Sequence, residues 1–266
     1  MAREMLMMWT GLIRDLILLE LRDMSKILIA ALLAGTALGA SSATAANLVT
    51  NGAFTSSSYA SNSEFGASYG GQGVTGWTGN NGYDLYFTSP TAATTVNAAG
   101  QYSYTGNEKL WAATASPVSG GAFVALDGAQ EAGVQGSISQ TINGLVAGQS
   151  YLLTFDAGAG QLQSRTGATT EQLQVSLGSQ TFLTPVASNA SEGFTGWFSL
   201  AYTFTATSAS EVLSFLSIGT PSGLPPIATL DDVSLTAATP VPEPLSLALL
   251  GAGVLSLGLV RRARKS

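Results

Sequence analysis

The run Ser139-Gln140-Thr141-Ile142-Asn143-Gly144-Leu145-Val146-Ala147-Gly148-Gln149-Ser150-Tyr151-Leu152-Leu153-Thr154-Phe155-Asp156 decides the fold class. A strand closes near Ile142, Asn143-Gly144 and Gly148 punctuate a turn, and a new strand opens at Tyr151. In that strand Tyr151, Leu153, Phe155 and Ala157 fall on one face. Period-two alternation of this kind is the signature of a half-buried strand.

The pattern repeats outward in both directions. Leu173, Val175 and Leu177 share a face, as do Phe198, Leu200, Tyr202 and Phe204. Strands are expected over 47–54, 83–87, 122–126, 137–142, 150–157, 172–177, 197–205, 211–218 and 229–235, with Gly, Asn, Ser and Pro between them. Helical periodicity is absent after residue 46, and no solenoid or propeller repeat is present. So many alternating runs predict two packed sheets, an all-β sandwich of residues 46–238.

Composition narrows the chemistry. Within 46–240 there are eleven acids and two bases, Lys109 and Arg165, a net charge of −9. Such a surface repels phosphate, which argues against nucleic acid as a partner. The chain has no cysteine and no histidine. Disulfides, Cys-His or Ser-His-Asp activation and imidazole-held zinc are therefore excluded. Two-carboxylate glycoside hydrolysis survives this filter. Asp84, Glu108, Asp127, Glu131 and Asp156 are its candidates, although no spacing singles out a pair.

Both ends read as processing segments. Lys26 precedes the apolar run 27–38, and Ala43-Thr44-Ala45 supplies small residues for signal peptidase. Residues 24–45 are expected to be a signal peptide, cut after Ala45 or Ala46. Residues 1–23 place Asp15, Glu20 and Asp23 where positive charge is wanted, which makes Met24 the simpler start. At the other end, Val241-Pro242-Glu243-Pro244 leads into the apolar run 245–260 and then Arg261-Arg262-Ala263-Arg264-Lys265-Ser266. As a helix that run would reach about 24 Å, slightly short of a ~30 Å hydrocarbon core. Arg261, Arg262, Arg264 and Lys265 would act as the membrane stop, with the domain outside.

Within the terminal segment 239–266, residues 241–266 resemble the PEP-CTERM sorting signal of Gram-negative bacteria. The resemblance implies recognition of Pro242, Glu243 and Pro244 by an exosortase, transient anchoring in the inner membrane, and a destination in the cell envelope or an exopolysaccharide matrix. The run quoted at the outset, with Asn47–Phe54 and Leu230-Asp231-Asp232-Val233-Ser234-Leu235, is similar to galactose-binding-like jelly rolls, among them carbohydrate-binding modules and DUF642-type secreted domains. The expected architecture is thus a jelly-roll-like β-sandwich flanked by an N-terminal signal helix and a C-terminal transmembrane helix. The expected function is non-catalytic, with weak carbohydrate binding; the second reading is a secreted glycoside-acting enzyme.

Two sets of site residues follow. If Val233 and Leu235 point inward, strict alternation sends Asp231 inward too, where it needs donors or a cation. The resemblance makes that cation calcium, held by Asp231 and Asp232, although Thr55 stands where many relatives carry an acid. No other cofactor is expected. Separately, Trp77, Tyr83, Tyr86, Trp111 and Trp197 could stack on sugar rings, with Gly-flanked Trp77 expected to be the most exposed.

Overall fold

A computed structural model describes residues 45–64, 73–80, 82–94, 109–116, 118–119, 121–163 and 165–238. All lie in the compact unit Ala45–Ser266. The chain runs β1 (Ser63–Glu64), β2 (Thr78–Gly79), β3 (Asp84–Phe87), α1 (Pro90–Thr94), β4 (Phe123–Asp127), β5 (Ser137–Asn143) and β6 (Ser150–Gln161). It continues through β7 (Thr169–Leu177), β8 (Gln180–Leu183), β9 (Ala187–Asn189), β10 (Phe198–Thr205), β11 (Ser210–Thr220) and β12 (Pro226–Ala237).

The strands form two antiparallel sheets, ordered β1-β3-β4-β12-β6-β10 and β2-β5-β11-β7-β8, with β9 also on β7. Facing residues of the two sheets bury one core: Val124, Leu126, Leu153, Phe155, Leu230 and Leu235 from the first sheet meet Ile138, Leu173, Val175, Leu177, Leu213 and Phe215 from the second. The alternate residues of the first sheet, Leu85, Phe87, Phe123, Ala125 and Ile227, form a second apolar cluster with Leu110 and Trp197 on its outer side. Ala93 of α1 and residues 110–113 therefore roof that face, which helps to explain why β3 and β4 are buried at every position.

The all-β sandwich agrees with the alternation in the sequence; the flanking helices do not. Among the described residues the only helix is α1, five residues long, and no helix is long and apolar enough to cross a membrane. Five residues rise about 7.5 Å, a quarter of a hydrocarbon core. The expected membrane-spanning helix is corrected accordingly, and with it the inner-membrane partner and the anchored localisation; the apolar run 245–260 itself lies outside the described residues. The signal segment 24–44, Glu108, Pro242, Glu243, Pro244 and the basic residues Arg261, Arg262, Arg264 and Lys265 lie outside the described residues.

Two strand expectations also change. Residues 47–54 are not a strand: Asn51 and Phe54 take positive φ of 54° and 52°, and the segment turns alongside β12. Its hydrogen bonds run from Leu48 N to Leu235 O, from Leu235 N to Asn47 Oδ1 and from Val233 N to Gly52 O. The alternating face of β10 is only partly covered, because this strand ends its sheet. Phe204 is buried, whereas Phe198 is 48% exposed.

Candidate functional site: a groove beside the β12 bulge

β12 departs from regular pairing with β6 between Asp231 and Ser234, and Asp232 adopts φ 53°. The bulge inserts a residue, so Leu230 and Val233, three positions apart, both face the core. Asp231 is therefore on the opposite face from Val233, the reverse of the placement that unbroken alternation predicts. It is nonetheless 1% exposed, with Ser116 and Ser119 lying against its carboxylate.

Donors for this aspartate pair come from two serines. Ser116 Oγ donates at 2.8 Å to Asp231 Oδ2 and lies 2.8 Å from Asp232 Oδ2. Ser119 Oγ donates to Asp231 Oδ2 at 2.5 Å, Ser119 N to Asp232 Oδ2 at 2.9 Å, and Asp232 N to Asp231 Oδ1 at 2.8 Å. Burial pushes Asp231 up to about 6, against the pull of the hydrogen bonds from Ser119, Ser116 and Asp232 N, with the Asp232 charge adding to the rise. Among the described residues no three acids are placed to hold a metal ion.

Asp156 on β6 pairs with Asp231 in register and shares its face. Ser199 Oγ, on the neighbouring β10, donates to Asp156 Oδ1 at 2.6 Å. Asp156 Oδ2 is buried and has no hydrogen-bond partner. In front of these residues opens a groove of about 620 Å³, walled by Thr154, Asp156 and Ser199, by Asp232 and Ser234 of the bulge, and by Asn51 and Thr55 of the turning segment. No lysine or arginine lines it. Its charged groups are thus both carboxylates, Asp156 and Asp232, set among hydroxyls and amides that can donate or accept and among the apolar side chains of Val49, Val118 and Leu200.

The aromatic residues expected to stack do not assemble into one platform. Trp77 is 6% exposed, packs on Phe54 and Phe215 between the sheets, and donates its indole N–H to Asn51 O. Tyr86 is likewise buried in that core. Trp197 lies on the far side of the first sheet, against Phe123 and Phe194, with Nε1 donating to Thr114 O. Half-buried Trp111 donates to Arg165 O. Half-buried Tyr83 sits beside the end of β4, its carbonyl accepting Asp127 N. The indoles of Trp111 and Trp197 fasten the roof segment and the 165 loop.

The acids considered for hydrolysis are dispersed. Asp84 and Asp127 are interior, at 0% and 1% exposure, while Glu131 is on an exposed loop and Asp156 is in the groove. Asp127 pairs with Ile227, four residues along β12 from Asp231, or about 13 Å. Ser116, Ser119 and Ser199 were not among the residues singled out in the sequence. The Ser-x-x-Ser spacing of the first two was the available signal.

A family model described as "Protein of unknown function (DUF642)" matches residues 113–234, from the roof segment through the aspartate pair. No curated protein sequence matches the chain. Among solved structures, TmCBM61 in complex with β-1,4-galactotriose is 13% identical, with 73% of this chain and 99% of that one covered and a TM-score of 0.37. The CBM22-1 xylan-binding domain from Paenibacillus barcinonensis is 10% identical over 68% and 94%, with a TM-score of 0.33. A family 22 carbohydrate-binding module from Clostridium thermocellum is 13% identical over 70% and 96%, with a TM-score of 0.34.

Proposed function

We propose that this domain is a non-catalytic binding module for a neutral, hydroxyl-rich glycan, held in the groove between β6, β10 and the β12 bulge. The observation that carries this reading is Asp156 Oδ2, a buried acceptor without a donor on the wall of an open groove. Leaving such an atom unpaired costs about 1–3 kcal/mol, and a sugar hydroxyl removes that cost by donating to it. Asp232, Thr154, Ser199 and Ser234 offer further polar atoms around it. The excess of acids over bases repels anionic polymers and leaves neutral polyols as the fitting class. Binding is weak, because no broad exposed aromatic face lines the groove and stacking contributes little. The non-catalytic part is supported by the interior positions of Asp84 and Asp127, which leave Asp156 without either as a partner across the groove.

Titrating the isotope-labelled protein with neutral xylo-, galacto- and gluco-oligosaccharides tests the reading. The expected result is selective shifts of the Thr55, Asp156, Ser199 and Ser234 amides with at least one glycan, no release of reducing ends, and loss of the shifts in Asp156→Ala. Silence of those amides across the whole panel would overturn it.

A further inference from the structure

At the other end of the sandwich, the two sheets are stitched together where β4 leaves the first sheet. Asp127 N donates to Tyr83 O at 3.1 Å, Gly136 N to Asp127 O at 2.7 Å and Ser217 N to Gly136 O at 3.0 Å. Gly128 N donates to Pro226 O at 2.6 Å and Gly219 N to Gly128 O at 2.8 Å. The connection 128–136 between β4 and β5 is thereby docked across the gap, although Gln130, Glu131, Ala132 and Gly133 at its tip are exposed.

Beneath it lie carboxyl groups with almost nothing to hold a charge. Asp84 and Glu171 are 0% and 2% exposed, and none of their four carboxyl oxygens has a hydrogen-bond partner. Glu171 Oε2 packs so closely on Gly128 and Gly219 that a Cβ at either would lie 2.8 or 2.5 Å from it. Ser217 Oγ, fully buried and also unpartnered, would lie 3.0 Å from the same Gly128 Cβ. Asp127 Oδ1 accepts only Ala129 N, at 2.7 Å.

The surrounding titratable groups are acids as well: Glu64 of β1 beside Asp84, and Glu131 of the connection beside Asp127. Within β11 and β12 the facing residues at this end, Ser217, Gly219, Pro226 and Ile227, do not titrate. Of the two described bases, Lys109 donates its Nζ to Ala92 O, and neither it nor Arg165 helps to hold these acids ionised.

We propose that this end of the sandwich is a proton-held latch: Asp84 and Glu171 keep the 128–136 connection docked while they are neutral acids, and their ionisation releases it. An anionic carboxylate buried without donor or cation is costly, so it must reach water. The connection is the removable wall, tied by a few hydrogen bonds and already exposed at its tip, whereas the strands beside it are paired along their length.

The direction follows from the acids themselves. Burial raises Asp84 to about 9; the nearby N–H groups of Ser137 and Asn80 oppose this, but they are already given to Asn80 Oδ1 and Ser137 O. Burial, with the neighbouring Asp127 charge, raises Glu171 to about 10, and burial raises Asp127 to about 7. Raised acids favour the folded state at low pH. That stability is complete below the ordinary carboxylate range of about 4 and is lost as pH climbs through 7 to 10.

Amide exchange on the full chain, corrected for intrinsic pH dependence, reads the latch. Protection of the Gly128, Gly136, Ser217 and Gly219 amides is expected to fall at least tenfold between about pH 6 and about pH 10, while the β6–β10 amides hold theirs. In Asp84→Asn/Glu171→Gln the fall is expected to shrink or vanish. Unchanged protection in the native protein, or an equal fall in the variant, would overturn the proposal. Should the variant not fold, the side-chain carboxyl carbons of the native protein decide: midpoints of Asp84 and Glu171 well above the ordinary range sustain it, and midpoints near 4 end it.

Discussion

Glu211 and Glu171 are both buried glutamates on neighbouring strands, yet their surroundings drive them in opposite directions. Burial works to raise Glu211, but Thr207 Oγ1 and Thr207 N, each donating at 2.6 Å to Oε1, and Ser208 N at 3.1 Å outweigh it, leaving its pKa below the ordinary value. Glu171 has no such donors. The difference is one of local sequence: Thr207-Ser208 precedes Glu211 in a tight turn, whereas Gly128 and Gly219 meet Glu171 from distant parts of the chain. Replacing Thr207 by Val removes one donor and keeps the shape. It is expected to cost about 1–2 kcal/mol in urea unfolding at neutral pH. Because a lowered acid contributes stability that is lost as pH falls, the gap between native and variant should narrow below about pH 4. The turn around Glu211 is local and could be read from sequence, whereas the setting of Glu171 depends on contacts no local pattern encodes. Asp156 is similar: its partner Ser199 is 43 residues away.

At the scale of elements, alternation locates β5, β6, β7 and β11 well, because each carries several inward residues in unbroken phase, and it locates β12 on either side of its bulge. It failed where the backbone departs from the regular pleat. The bulge reversed the inferred face of Asp231, and residues 47–54, which read as a strand, form a turning segment packed on the bulge. Gly52 is the reason the two fit: a Cβ there would lie 1.8 Å from Val233 O. Gly52→Ala must push the segment off β12, with an expected loss of more than about 3 kcal/mol in chemical denaturation and disturbed amide signals at Val233 and Leu235. A loss under about 1 kcal/mol would show that the segment can shift freely. The short strands β8 and β9 carried too few residues to announce themselves. Flanking glycines suggest exposure for Trp77, while long-range packing on Phe54 and Phe215 places it in the core.

For the molecule as a whole, stability rests on burial and sheet pairing without cross-links, under a net charge of −9 across 46–240. Like charges at this density repel, and salt screens them over about 10 Å at 0.1 M. Raising sodium chloride from about 10 mM to about 500 mM is therefore expected to lift the melting temperature by a few degrees in scanning calorimetry at fixed pH; a fall would mean that hidden attractive pairs dominate. The strand order has a consequence during synthesis. β12 is the last of the described strands to leave the ribosome, yet it occupies the middle of its sheet, between β4 and β6. Until it emerges, the β3-β4 ribbon and the β6-β10 ribbon have nothing to join them. At about 5–20 residues per second, a nascent chain spends several seconds holding two half-sheets with raw inner borders. The newest dozen residues then close the gap, bringing together partners that were translated some 70 and 100 positions earlier.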